Sequence, residues 1–367
     1  MAEVSTAAAD QKQVVLVTGA SGCLGQHLVK HLQERDESVK EIKCLDIKPY
    51  QNNLQHKTEK PMTIITADIR NERAVVKALE GVDCVIHCAA VVDTGLWPDV
   101  KTMNSVNVDG TQILMDAMVE LNVKYLVFVS GADVIVGDDP IYYGAENTTP
   151  VPKRHILAHS KTKLDAEVLV KEANGRQLSN GKDSLHTIIM RPSLIYGEQD
   201  QHFITAVLKL TKQQSGVLRQ LDNVFVRIQP TYAGNAAWAC LRAKDKLRED
   251  KSVAGEEFFV TDDTQILDPF EFLAPYVQSR GYKLSVRAYP YWLFMLVMYF
   301  VVLAVRLLWS VYPIELPKGL TQPTLRYLCN TYFYNRTKAT LRLDYEPIYG
   351  YEESQQKSLQ YYKRLFL

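Results

Sequence analysis

Neither sign of charge is in excess: 42 Lys and Arg face 42 Asp and Glu over 367 residues, for a formal net charge of zero. That balance argues against a nucleic-acid binder, which needs a basic surplus to neutralise phosphates. Cysteine is scarce. The six, at positions 23, 44, 84, 88, 240 and 329, include no pair at metal-ligand spacing and are too few for a disulfide framework in a chain of this length. Reduced thiols facing a cytosolic compartment are the expectation, with no metal site. Repeats and low-complexity tracts are absent. At 47% hydrophobic and 23% charged residues the chain has ample apolar surface to offset its entropy, which excludes disorder as the dominant state. The start, MAEVSTAAADQKQ, lacks an apolar stretch behind a basic lead, so residues 1–12 read as a disordered lead-in and not as a secretory signal. Long hydrophobic runs are missing as well, with one exception. Tyr291 to Val305 are fifteen uninterrupted apolar positions.

What is present is an alternation. The segments 14–18, 42–47, 62–66, 83–88, 125–130 and 186–191 read as short buried strands, separated by helical stretches such as 26–35 and 106–121. Apolar strands alternating with helices of ten or more residues predict an α/β fold of the Rossmann type, a doubly wound parallel sheet covered on both faces. After about residue 200 the alternation weakens, leaving one further strand at 258–263 and a short helix near 269–277. The predicted organisation is a dinucleotide-binding domain over 13–200 and a substrate-binding region over 201–285. A hydrophobic, membrane-associated segment follows over 286–313, then a tail over 314–367 that packs on the substrate region.

The first strand runs directly into Thr18-Gly19-Ala-Ser-Gly22-Cys23-Leu24-Gly25, which opens a helix. In this strand–turn–helix setting the three glycines have separate tasks. Gly19 permits the tight turn, Gly22 lets backbone approach a pyrophosphate, and Gly25 allows helix and strand to pack closely. The helix N-terminus, at Cys23 and Leu24, then offers free N–H groups and a positive dipole end to the phosphates. Asp46, ending the second strand, suits the ribose hydroxyls of an adenosine and favours NAD over NADP, although Lys48 lies two residues on. Asp68, after the third strand, is either a group at the adenine end or a turn or N-cap aspartate.

With Asp68-Ile69, His87-Cys-Ala89-Ala90, Asn107-Val-Asp-Gly-Thr111 and Arg191-Pro192-Ser193-Leu-Ile-Tyr-Gly197, the loop resembles the extended short-chain dehydrogenases. Pro230-Thr-Tyr-Ala-Gly-Asn-Ala-Ala-Trp-Ala239, the late apolar segment and Leu343-Asp-Tyr-Glu-Pro347 resemble, more narrowly, the 3β-hydroxysteroid dehydrogenase/Δ5-4 isomerase family. The resemblance runs from about residue 13 to the C-terminus. It implies NAD, membrane association and oxidation of the 3β-hydroxyl of a steroid or sterol. Some members also shift the ring double bond, and others act on sterol 4-carboxylates. By the same resemblance Ile69 and Ala89 lie along the cofactor, and the backbone of Pro192 and Ser193 meets the nicotinamide carboxamide. Asn107 either bridges the sheet to the active-site backbone or caps the helix that follows. His87, on an apolar strand, reads as a core histidine.

The chemistry of such an enzyme needs a Tyr phenolate to accept the alcohol proton, a Lys four residues later to hold the ribose and lower the phenol's pKa, and a Ser to orient the substrate oxygen. In His155-Ile-Leu157-Ala-His159-Ser160-Lys161 the lysine is assigned to Lys161, which puts Leu157 at the tyrosine position. The serine position falls on Gly131, with Ser130 one residue earlier. Three readings follow. Tyr142 or Tyr143, or else His155 or His159, compensates, His159 reading as a surface residue ahead of the helix. Alternatively the chain is an impaired NAD-binding protein that binds sterol or regulates a partner. The third reading is a different reaction on the same cofactor site.

Residues 291–312, with Arg306 as their one charge, are long enough as a helix to reach across a bilayer core, about 33 Å against about 30 Å. Tyr289, Trp292, Trp309 and Tyr312 would form an aromatic belt. The alternative is a buried core helix. Membrane contact suits a steroid-like substrate that partitions into the bilayer, and the expected location is the endoplasmic reticulum membrane, or else a mitochondrial one, with the nucleotide domain facing the cytosol. Whether the segment spans or lies in one leaflet, and whether the chain forms a homo-oligomer, stay open.

Overall fold

The computed structural model describes residues 12–222, 226–308 and 321–367. Most of the expected lead-in, and Trp309 to Tyr312 of the apolar segment, lie outside the described residues. The elements follow in chain order. The first half holds β1 (Gln13–Thr18), α1 (Cys23–Glu34), β2 (Val39–Asp46), β3 (Met62–Thr66), α2 (Glu72–Leu79) and β4 (Cys84–His87). Next, α3 (Val100–Asn104) passes through a π turn (Ser105–Asp109) into α4 (Gly110–Glu120), followed by β5 (Tyr125–Val129), α5 (Ala158–Ala173) and β6 (His186–Pro192). The second half holds α6 (Ile204–Gln213), α7 (Ala233–Glu249), β7 (Glu257–Val260), α8 (Pro269–Ser279), α9 (Tyr291–Leu308), α10 (Gln322–Leu328), α11 (Thr337–Leu343) and α12 (Tyr351–Arg364).

These seven, of the thirteen strands among the described residues, form one parallel sheet in the order β7-β6-β5-β4-β1-β2-β3. The order reverses between β1 and β4, and in open α/β sheets ligands settle outside the carboxyl ends of the strands at such a switch point. Strand residues alternate between two apolar layers. Val15 and Val17 pack with Leu28 and Leu32 of α1 and Ala236 and Leu247 of α7. Val14 and Leu16 face Val75 of α2, Leu114 and Met118 of α4 and Val170 of α5. Both faces are thereby dry, as continuous apolar strands require.

The sheet does not stop at residue 200. β7 extends it beside β6, and α7 with Ala339 and Leu343 of α11 supplies the cover that its edge needs. The expected boundary therefore divides one core. A third cluster brings Tyr196, Phe203, Tyr232, Phe272 and Tyr276 together with Tyr349 and Tyr362. β2 starts at Val39, earlier than its apolar run suggested, because Val39 pairs with Gln13 across the ladder.

Apart from Arg306 in its last turn α9 is apolar, yet of its side chains only Met298 and Val305 are buried. Trp292, Val297, Phe300 and Leu307 lie on the exposed surface. The buried-core alternative is therefore excluded for this helix. Its 18 residues measure roughly 27 Å, close to the thickness of a bilayer's hydrocarbon core.

Candidate active site

Gly19 turns the chain after β1 with φ +70°, and a β-carbon there would lie 2.7 Å from the backbone nitrogen of Ala89. At Gly25 a β-carbon would lie 2.1 Å from the carbonyl oxygen of Gly19, so helix and loop touch backbone to backbone. Gly22 is the N-cap of α1 and carries no side-chain cap, and the first turn holds no acidic residue. The leading N–H groups of α1 are thus left for an anion. Asp46 lies beside them at the end of β2, accepting from the backbone N–H of Ser21 and of Lys48, each at 3.0 Å. This arrangement fits a dinucleotide: a pyrophosphate on the helix end and a carboxylate for a ribose.

At the other end of the cleft stands α5. Its buried face reads Lys163, Ala166, Glu167, Val170, Ala173, in helical phase. Glu167 forms a buried two-pronged pair with Arg191 of β6, Arg191 Nε donating to Oε1 at 2.9 Å and Nη2 to Oε2 at 2.6 Å, and this pins the helix to the sheet. One turn earlier Lys163 Nζ donates to the carbonyl of Val129 at 2.6 Å, 4.2 Å from the centre of the Phe128 ring. Burial pushes its pKa down to about 8 against the pull of Glu167, Cys88 and Asp133. One turn earlier again is His159, whose Nε2 lies 3.0 Å from Asp133 Oδ2. Asp133 sits in a 3-10 turn (Ala132–Ile135) after β5, and Ser160 Oγ donates to the same oxygen. Burial alone would raise the Asp133 pKa, but the bonds and charge of His159 with the bond from Ser160 bring it down to about 2.

Asn107 holds this corner together. Its Oδ1 accepts from Val91 N–H at 2.7 Å, and its Nδ2 donates to Val91 O and, at 2.9 Å, to Thr162 Oγ1 beside Lys163. It lies inside the π turn between α3 and α4, so it bridges and does not cap: the helix that it was expected to start is already under way at Val100. His87 is a core residue, its Nδ1 2.6 Å from Thr18 Oγ1 and its Nε2 3.0 Å from Thr111 Oγ1, with burial driving its pKa to about 3.

A cleft of about 480 Å³ joins these parts. Gly22, Cys23, Leu24, Asp46, Ser130, Gly131, Asp133, Leu157, His159, Lys163, Pro192 and Ser193 all line it. Ser130 Oγ is buried there without a protein partner. A second, mainly apolar cavity of about 310 Å³ shares Phe203, Val207, Leu210 and Leu328 with it and reaches Phe294 and Met298 of α9.

Several expected residues lie elsewhere. Lys161 points to solvent, 56% exposed and paired with Asp165. Tyr142 and Tyr143 are 60% and 73% exposed and pack on Phe333 outside the cleft, and His155 Nε2 bonds the carbonyl of Val134. Asp68 holds Arg70 and Ile69 packs beneath Gly110, neither lining the cleft, while Ala89 N–H donates to Thr18 Oγ1 at 3.3 Å. The four-residue spacing therefore belongs to Lys163, which moves the tyrosine position from Leu157 to His159. Leu157 is the N-cap of α5, and His159, far from being a surface residue, is 13% exposed. Residues two apart on a helix face nearly opposite ways, about 200°. Lys163 is in phase with Ala166, Val170 and Ala173 and Lys161 is not, a signal already present in the sequence. Gly131 has a reason too: a β-carbon there would lie 2.2 Å from Asp133 Oδ1, so the Asp133 carboxylate fills the space a serine would need. That substitution of one group for another across two positions had no sequence signature.

A family model described as the 3-beta hydroxysteroid dehydrogenase/isomerase family matches residues 16–290. Among curated proteins the chain is 32% identical over 360 residues to 3 beta-hydroxysteroid dehydrogenase type 7 of Mus musculus and 31% identical over 361 residues to that of Homo sapiens, each match covering 95% of both chains. Among solved structures, MoeE5 in complex with UDP-glucuronic acid and NAD is similar with a TM-score of 0.66 at 18% identity, covering 95% of this chain and 99% of that one. UDP-glucose 4-epimerase from Thermotoga maritima is similar at 0.67 and 16% identity, covering 96% and 99%. At such identities the likeness is one of fold.

Proposed function

This chain belongs to the 3-beta hydroxysteroid dehydrogenase/isomerase family, and on that premise we propose that it oxidises the 3β-hydroxyl of a steroid or sterol taken from a membrane. It is an oxidoreductase of the extended short-chain dehydrogenase type and its cofactor is NAD. The observation that carries the substrate class is a pair of neighbouring cavities, the cleft and an apolar chamber that shares four lining residues with it and reaches α9. Pockets for ligands of this size run to about 300–1,000 Å³ and are mostly apolar with a few placed polar groups. Here Ser130, His159 and Lys163 line the cleft while the neighbouring chamber is mainly apolar, which suits a rigid apolar body presenting a single hydroxyl.

Each residue then has a task. The α1 N-terminus and Gly22 hold the pyrophosphate and Asp46 the adenosine ribose. Pro192 and Ser193, at the carboxyl end of β6, border the nicotinamide. Lys163 keeps N–H donors beyond the one used on Val129 and directs them at ribose hydroxyls. NAD supplies the hydride acceptor when bound. α9 would set the mouth of the chamber in the lipid, and the membrane proposed is that of the endoplasmic reticulum, with a mitochondrial membrane as the alternative.

The test is NADH formation by the full chain in lipid nanodiscs, offered a panel of 3β-hydroxysteroids and sterols beside short water-soluble secondary alcohols. Turnover confined to the apolar panel is expected. NAD binding with no turnover of any alcohol would refute the enzyme and leave a dinucleotide- and sterol-binding protein.

A further inference from the structure

The cleft contains a proton acceptor of a different kind from a tyrosine. His159 lies on the first turn of α5, four residues before the buried Lys163, and its Nε2 is held 3.0 Å from Asp133 Oδ2. An ionised carboxylate is acceptor-only, so in the neutral ring Nε2 carries the proton and Nδ1 keeps its lone pair. Nδ1 is buried and has no hydrogen-bond partner. A buried acceptor in that state costs free energy until a donor meets it. An alcohol hydroxyl entering the cleft that the ring lines is such a donor.

Resting on the reaction proposed above, we propose that His159, positioned by Asp133, is the base that takes the hydroxyl proton of the substrate. Oxidation of a secondary alcohol releases a hydride from the carbinol carbon and a proton from the oxygen. NAD⁺ takes the hydride and becomes NADH, the O–H electron pair closes the C=O bond, and Nδ1 of His159 takes the proton, which later passes to solvent. Asp133 orients the ring, selects the tautomer and offsets the imidazolium charge, as the aspartate does in hydrolase triads. The groups that bond the ring or its partner, or line the cleft with it, come from three elements. They are Asp133 from the turn after β5, Lys163 and Ser160 from α5, and Tyr327 from α10, which also lines the cleft. Tyr327 is the competing acceptor, but a phenol acts as a base only when its pKa is lowered. Burial, with the charge of Asp133 added, moves that of Tyr327 upward. Gly131 belongs to the same device, because only a residue without a β-carbon leaves the Asp133 carboxylate where His159 can reach it.

The experiment compares wild type, His159→Gln, His159→Tyr, Asp133→Asn and Tyr327→Phe in nanodiscs by kcat against pH, with NAD binding followed by fluorescence. A positioned base contributes about 10²–10⁴-fold. His159→Gln is expected to lose kcat on that scale with NAD affinity kept within about twofold, and Asp133→Asn to lose part of it. The pH dependence of kcat should differ between wild type and His159→Tyr, because the proton acceptor is an imidazole in one and a phenol in the other. A second readout needs no turnover: nitrogen NMR of the histidines in the NAD complex should show the neutral ring of His159 with its proton on Nε2. His159→Gln retaining kcat within about threefold overturns the assignment, as does an Nδ1–H tautomer, or loss confined to Tyr327→Phe. Failure of the reaction itself looks different: the wild type, too, would then turn over nothing, and the role of His159 falls with it.

Discussion

Glu167→Gln tests the clamp on which the site is built. The side chains of Glu167 and Arg191 are 1% and 5% exposed, and their two-pronged pair joins α5 to β6. Removing one partner of a buried pair strands the other charge, at a cost of about 3–5 kcal/mol. Arg191 keeps a second carboxylate, Glu257, at 3.9 Å, so the lower end applies, about 3 kcal/mol. Unfolding entropy of roughly 2.1 cal/mol/K per residue, over 367 residues, converts that to a fall in Tm of about 4 °C. Because α5 carries His159 and Lys163, kcat should fall as well, at unchanged pH profile. Calorimetry at pH 7 on the single variant and on Glu167→Leu/Arg191→Met decides it. The double change removes both charges and should recover to within about 1 kcal/mol of wild type, since apolar replacements of buried pairs are often neutral. A single variant melting with the wild type, or a double variant weaker than the single, would refute the reasoning.

Two further outcomes are expected. Lys161→Ala should leave kcat and the affinity for NAD within about twofold, whereas Lys163→Ala should cost kcat about 10²-fold or more, and steady-state kinetics separates them; equal effects would undo the assignment of the spacing to Lys163. Burial pushes His27, His31 and His87 each down to about 3, while the unfolded chain holds them near 6.5. As pH falls below about 6.5 the unfolded state therefore binds protons that the folded state refuses, and stability drops toward pH 3 by up to about 1.4 kcal/mol per pH unit for each histidine. Their contribution is complete above that range. Urea unfolding at intervals from about pH 7 to pH 4 measures the slope, and a flat profile contradicts it.

Much of this protein was legible in order along the chain. The glycine spacing after β1, Asp46 at the end of β2 and the alternation of apolar strands with helices specify a parallel sheet and a dinucleotide site, because each is a local pattern with one physical solution. The apolar run of α9 was equally plain, and the structure added that its surface stays uncovered. The phase of α5 was legible but was read two residues out, since Lys161 and Lys163 both stand in a lysine-rich turn and only the helical period separates them. What the sequence could not display is the meeting of residues far apart. β7 and α11 complete a core begun more than 230 and 310 residues earlier, because a sheet edge recruits whatever apolar segment fits it. The carboxylate of Asp133 fills the space beside Gly131 and meets His159, 26 positions on, because the turn after β5 and the start of α5 converge on one cleft. Local patterns determined the fold and the cofactor; the identity of the base was decided only where two segments pack together, since proton transfer depends on distances that no linear spacing records.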